Sequence, residues 1–168
     1  GYTWGHSTLG AGASISVPHW QMVLHTTALT SQSMDVQMSS GSTNIGRTPA
    51  NMPAGHYIES TECDVIADIL WAGMALLRER GIPFNLVSTA ATQVPGGGKR
   101  LRCWLFPRTR SQESRAAFLE LAGVYLLGET DLRITREAAL ADLVNSCLPR
   151  GHDIHSEIRQ TAETLLYR

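Results

Sequence analysis

His19 and Gln21 stand two residues apart in the run Ala13-Ser14-Ile15-Ser16-Val17-Pro18-His19-Trp20-Gln21. The β-branched and aromatic residues around them predict a strand over 13–25. Side chains alternate along a strand, so positions 19 and 21 would present an imidazole and a carboxamide to the same bound group. A neutral imidazole is a nucleophile near pH 7, and a carboxamide is an uncharged hydrogen-bond donor. Together they suit attack on a phosphoryl group. By itself, however, a His-x-Gln spacing is more often structural than catalytic.

A second group of candidates is basic. Arg100, Arg102 and Arg108 share parity on a predicted strand and interleave with Trp104 and Phe106. Such a face can stack a base or hold a diphosphate. The competing reading is an exposed strand whose long basic side chains cover apolar neighbours. Gly96-Gly97-Gly98-Lys99 looks like the end of a phosphate-binding loop, but Arg100 stands where Ser or Thr is needed and no glycine opens the motif. A flexible hairpin turn explains it better. His152 and His155 are three apart on a predicted helix, and with no third ligand at matching spacing no metal is expected there. His25 shares parity with His19 and is given no role.

The longer segment Leu9-Gly10-Ala11-Gly12-Ala13-Ser14-Ile15-Ser16-Val17-Pro18-His19-Trp20-Gln21 resembles the active-site strand of the galactose-1-phosphate uridylyltransferase branch of the histidine-triad superfamily. Members of that branch carry His-x-His-x-Gln after a Gly, a small residue and Ser. Within it the chain is most similar to the GDP-hexose phosphorylases of the GDP-L-galactose and GDP-D-glucose type. The blocks Gly81-Ile82-Pro83-Phe84-Asn85-Leu86-Val87 and Trp104-Leu105-Phe106-Pro107-Arg108 follow in the order found there. The resemblance implies an α+β, histidine-triad-like antiparallel sheet with a packed helix and two C-terminal helices. It also implies a nucleotidyltransferase or phosphorylase that works on a nucleoside-diphosphate sugar through a nucleotidyl-histidine. His19 matches the nucleophile and Gln21 its companion. Ser14 matches a donor to a phosphate oxygen, and either His6 or Ser7 falls where the branch has a phosphate-contacting Asn. Arg108, with Arg102 behind it, would meet the substrate. Neither a cofactor nor a metal is implied.

Val17 departs from the pattern, because the branch has its first motif histidine there. That position acts in the family chiefly through its backbone carbonyl, which holds the nucleophile's Nδ1–H and which a valine retains. The imidazole itself is lost, and the chain corresponds only to the catalytic half of a two-half enzyme. A catalytically altered or non-catalytic module therefore stays open as an alternative: a split-enzyme subunit completed by a companion chain or a second copy, or a repurposed binding domain. The base, the sugar and the direction of reaction are not legible.

The elements that must position these residues are readable in outline. At 168 residues, 43% hydrophobic and 17% charged, the chain has the length and composition of a single α+β domain over 1–168. Its net charge of −1 recruits neither nucleic acid nor an anionic membrane. No apolar run approaches the length of about 20 residues that spans a bilayer. The opening Gly1-Tyr2-Thr3-Trp4 has no initiator Met and no signal-peptide pattern, and is expected of a processed chain or a piece of a longer one. Cys63, Cys103 and Cys147 are isolated thiols, expected to be buried small hydrophobes in a cytoplasmic protein.

Residues 30–54, rich in Ser, Thr, Asn and Gly, are expected to form a long loop, followed by a short strand over 55–59. Ile66, Ile69, Leu70, Met74 and Leu77 follow the helical period, so 62–80 is predicted to be a helix, capped by Thr61 and stopped by Gly81 and Pro83. Strands over 83–90 and 99–108 form a hairpin around a turn at 94–98. Residues 118–127 fit either strand or helix. The segment 135–168 is read as two terminal helices parted by Pro149-Arg150-Gly151.

Overall fold

The computed structural model describes residues 2–6, 19–23, 35–93, 99–109, 138, 141 and 144–168. It is an α+β fold in which every strand pairing is antiparallel. The strands are β1 (Tyr2–His6), β2 (His19–Val23), β3 (Asp35–Ser40), β4 (Thr43–Arg47), β5 (His56–Ser60), β6 (Phe84–Gln93) and β7 (Lys99–Pro107). They form one sheet in the order β2-β1-β6-β7-β5-β4-β3. Two helices, α1 (Cys63–Glu79) and α2 (Asp153–Leu166), pack against each other and against one face of the sheet.

Period-two alternation chooses the face. Ile45, Ile58 and Cys103 lie in one register row, and Leu105 and Leu86 in the next. All five belong to the hydrophobic core. From α1 the core receives Ile66, Ile69, Leu70 and Leu77, the stripe a 3.6-residue period puts on one side. From α2 it receives Ile154, Ile158 and Ala162. Each fully buried aliphatic side chain stabilises the fold by about 1.5–3 kcal/mol. Gly73 lets α1 come close: a Cβ there would sit 3.1 Å from Leu105 Cδ2.

The end of α1 is built by its sequence. Gly81 has φ +60°, a left-handed conformation that costs glycine little. The Ile82 N–H bonds the Leu77 carbonyl at 2.8 Å and the Gly81 N–H bonds that of Arg78 at 3.0 Å. That pair of bonds is a Schellman motif, and Ile82 packs on the core beyond it. The start of the helix differs from expectation: the N-cap is Glu62, not Thr61, and no side chain caps it. Instead the Glu62 N–H is taken by Ser60 Oγ at 2.9 Å.

The expected long loop over 30–54 is corrected over much of its length. β3 and β4 form a hairpin there, turning at Gly41 with φ +54°. Its polar residues conceal the pairing, yet Thr43 and Ile45 are both buried. The following segment is a true loop, clamped from a distance. Arg150 Nη1 donates to the Thr48 carbonyl at 2.5 Å, and Arg150 Nη2 donates to the carbonyls of Pro49 and of Met52, the latter at 3.1 Å.

Cys103 and Cys147 are buried as expected, and burial pushes their thiols up to about 12 and about 11. Cys63 is exposed at the first turn of α1, because the helical stripe that faces the core begins at Val65 and Ile66. No helix among the described residues is long and apolar enough to cross a membrane. The expected elements at 118–127 and 94–98, and most of the one over 135–147, lie outside the described residues.

Candidate active site on the sheet

His19 opens β2 and pairs with His6, the last residue of β1. His6 in turn pairs with Asn85 of β6, and Asn85 with Phe106 of β7. Positions 19, 6, 85 and 106 therefore form one row across four strands. Neighbouring strands lie just under 5 Å apart, so the backbones at 19 and 85 are separated by about 10 Å. Gln21 heads the adjacent row of like parity, which runs through Trp4, Val87, Trp104 and Tyr57.

The first row ends on charge. Arg108 follows β7 and is only 1% exposed. Its Nη1 donates to Asn85 Oδ1 at 3.1 Å. Backbone bonds fix it from both sides: its N–H reaches the Pro83 carbonyl at 2.7 Å, and it bridges to Cys147. Thr109 N–H to the Ser146 carbonyl and Leu148 N–H to the Pro107 carbonyl extend the attachment. Burial disfavours the guanidinium's charge and lowers its pKa, while the nearby Cys147 sulfur acts the other way. Gly55 leaves space for Phe106, since a Cβ there would come within 2.4 Å of the ring's Cδ1.

Arg102 belongs elsewhere. It pairs with Thr89 and Glu59, two rows of like parity beyond Phe106, about 13 Å along β7 at strand spacing. Its Nε donates to Glu59 Oε1 at 3.1 Å, and the Tyr57 hydroxyl donates to Glu59 Oε2 at 2.5 Å. Arg100 Nη1 stands 3.6 Å from Glu59 Oε1. Burial would raise the Glu59 carboxyl, but the Tyr57 hydroxyl and the two guanidinium groups outweigh it and hold the carboxyl below its ordinary value. Burial, followed by that carboxylate, pushes the Tyr57 phenol upward, so it stays protonated.

Among the residues expected at the site, the fold thus brings His19, His6 and Arg108 toward one row, the last through Asn85, and leaves Arg102 in a separate cluster. Ser7, Ser14 and His25 lie outside the described residues. Asn85 was not a candidate in the sequence. The only signal was its place in the Ile-Pro-Phe-Asn block, with a polar residue set among strand hydrophobes.

A buried histidine pair was missed as well. His56 Nε2 and His155 Nδ1 lie 2.9 Å apart, joining β5 to α2 on the helix side of the sheet. His155 Nε2 is 3.2 Å from the Leu148 carbonyl, which can only accept, so that nitrogen carries the proton and His56 Nε2–H donates to the bare Nδ1. Both rings are neutral in this arrangement. Burial is the first cause holding His56 down to about 3, and the repulsion a protonated ring would meet from a protonated His155 and from Arg47 adds to it. His155 is lowered too, by burial ahead of the opposing Leu148 bond. His152 instead caps α2, its Nδ1 accepting from the Ile154 N–H at 3.2 Å.

Comparison with models of known families, with curated proteins and with solved structures found no match to this chain.

Proposed function

We propose that the protein is a nucleotidyltransferase of the phosphorylase kind, acting on a nucleoside-diphosphate sugar through a nucleotidyl-histidine. The observation that carries it is the register row His19–His6–Asn85, ending on the buried Arg108 that orients the Asn85 carboxamide. The antiparallel sheet with helices on one face is read, with the active-site motif, as histidine-triad-like.

Neutral His19 attacks the α-phosphorus in line; the bond from that phosphorus to the bridging oxygen breaks, and the sugar phosphate leaves with the electron pair. The acceptor, inorganic phosphate or a sugar phosphate, then attacks the same phosphorus and releases the imidazole. Two displacements let one nucleophile serve both partners. Phosphoryl chemistry asks mainly for position and charge. Gln21 is assigned to the transferring oxygens, Ser14 and either His6 or Ser7 to the flanking phosphate, and Asn85, held by Arg108, to the far end of the row. Arg102 is assigned to the distal part of the substrate, and a companion chain or second copy to completing the site. Three free thiols support a reducing, cytoplasmic setting.

The experiment is intact-mass measurement after incubation with a panel of nucleoside-diphosphate sugars, with peptide mapping at neutral pH. A nucleotidyl adduct on His19, absent from His19→Ala, is expected. A folded wild-type chain that forms no adduct, or an alanine variant that still transfers, removes the mechanism.

A further inference from the structure

A small cavity lies on the helix side of the sheet. Arg47 of β4 and His56 of β5 are direct register partners there, and both line it. Arg159 of α2 borders it as well, and Ile45, Ile58 and Ile158 supply apolar wall. His56 pairs with Leu105, one residue from Phe106, so strand alternation sets the cavity on the face away from the row through His19. It is partly open and measures about 10 Å³, room for one water-sized group. Nucleotidyl transfer at His19 uses none of these residues.

The surroundings are short of negative charge. Arg47 Nε–H is buried with no hydrogen-bond partner. Asp35 stands opposite Arg47 in the β3–β4 register, yet that N–H stays unmet, and no ion pair among the described residues includes Arg47. A buried donor left unmade costs about 1–3 kcal/mol, which favours an acceptor beside it. The charges acting on the neighbouring histidine pair are positive too: Arg47 on both rings, His152 and Arg150 on His155. Arg159 is already balanced, its Nε donating to Glu163 Oε1 at 2.9 Å. His56 is neutral and commits its Nε2–H to His155. A water molecule would satisfy the Arg47 donor and leave its charge; a small anion answers both.

We propose that Arg47 and the cavity it borders beside His56 form a site for chloride. A monatomic anion fits a space that holds one water-sized group, whereas a carboxylate or a phosphate brings several heavy atoms. Chloride accepts from Arg47 Nε–H, and its single charge is set against a local field that is positive at both histidines. It is weakly hydrated for an anion, so walls of isoleucine suit it better than they suit sulfate. The open side is its way in. The site does not depend on His19 being a nucleophile.

The test follows the arginine Nε–H signals of the ¹⁵N-labelled protein while sodium chloride replaces sodium gluconate at constant ionic strength. Gluconate is too large for the cavity. Arg47→Lys removes one signal and so identifies it. A saturable shift of that signal as chloride rises is expected. Chloride should also protect the wild-type fold against heat, as any ligand of the folded state does. Arg47→Gln should weaken chloride binding by at least about tenfold, the worth of a hydrogen bond to a charged group. The difference between the two proteins' thermal midpoints removes the general effect of exchanging the salts. The proposal is overturned if chloride leaves the Arg47 signal in place, as it would for a cavity that holds only water. It is equally overturned if folded Arg47→Gln shows the chloride dependence of the wild type. Should that variant fail to fold, the signal titration of the wild-type protein decides alone. Adduct formation on His19 is scored separately, so failure of one assignment leaves the other standing.

Discussion

Acidification from about pH 7.5 to about pH 5 should weaken the fold through His56 alone by about 2 kcal/mol. The folded imidazole is held near 3 against an ordinary 6.5. Between those values the unfolded chain binds a proton that the folded one refuses. The contribution is therefore fully present above about pH 6.5 and is lost as pH falls toward the folded value. At pH 5 the folded ring is still neutral even if its pKa is a unit higher, so the loss is set by the unfolded value. His155, lowered in the same direction, adds to the loss. Urea denaturation at a series of pH values measures it directly. His56→Gln is the matched control, because its amide N–H can still donate to His155 Nδ1 and does not titrate. The variant should start less stable but lose about 2 kcal/mol less over the same interval. Equal losses in the two proteins would refute the assignment of a neutral buried pair.

Other substitutions probe the scaffold. Gly55→Ala places a methyl against the fully buried Phe106 ring and should cost about 2–3 kcal/mol, read as a lowered thermal midpoint. Arg150→Ala releases the carbonyls of Thr48, Pro49 and Met52, and a loss of about 2 kcal/mol is expected, with faster proteolysis within 48–55. Arg150→Lys should rescue little of this, since one ammonium cannot span the fork. Gly81→Ala should cost about 1–2 kcal/mol for the left-handed residue that ends α1, with the helix content unchanged by circular dichroism.

Local signals were legible in the sequence and distant ones were not. The periodic stripe and the Gly-x-Pro stop give α1 within a residue at each end, and the basic strand returning from 84–93 is visible in its alternation. The β3–β4 hairpin was hidden, because strands of Ser, Thr, Asn and Met resemble loop composition, although Thr43, Ile45 and Gly46 of β4 are buried. At the site, the pairing of positions 19 and 21 on one strand was readable from spacing alone. Their neighbours were not: which residue of β6 falls opposite His6 is decided by register across most of the chain. Glu59 meeting Arg102 and His56 meeting His155 are likewise partnerships of tertiary origin, the second separated by 99 residues. No periodicity within either segment foretells them.

The strand order also dictates when the row through His19 can exist. β6 and β7 lie close together in sequence and pair locally, whereas β1 must wait for a strand some eighty residues downstream before it finds Asn85. Closing that longer loop costs about 2 kcal/mol more in chain entropy than closing the hairpin. During synthesis the two histidines leave the ribosome before Asn85 and stay without that neighbour until β6 has emerged. The row belongs to the slow, high-contact-order part of folding, and pulse-labelled hydrogen exchange should find β1 amides protected after those of β6 and β7.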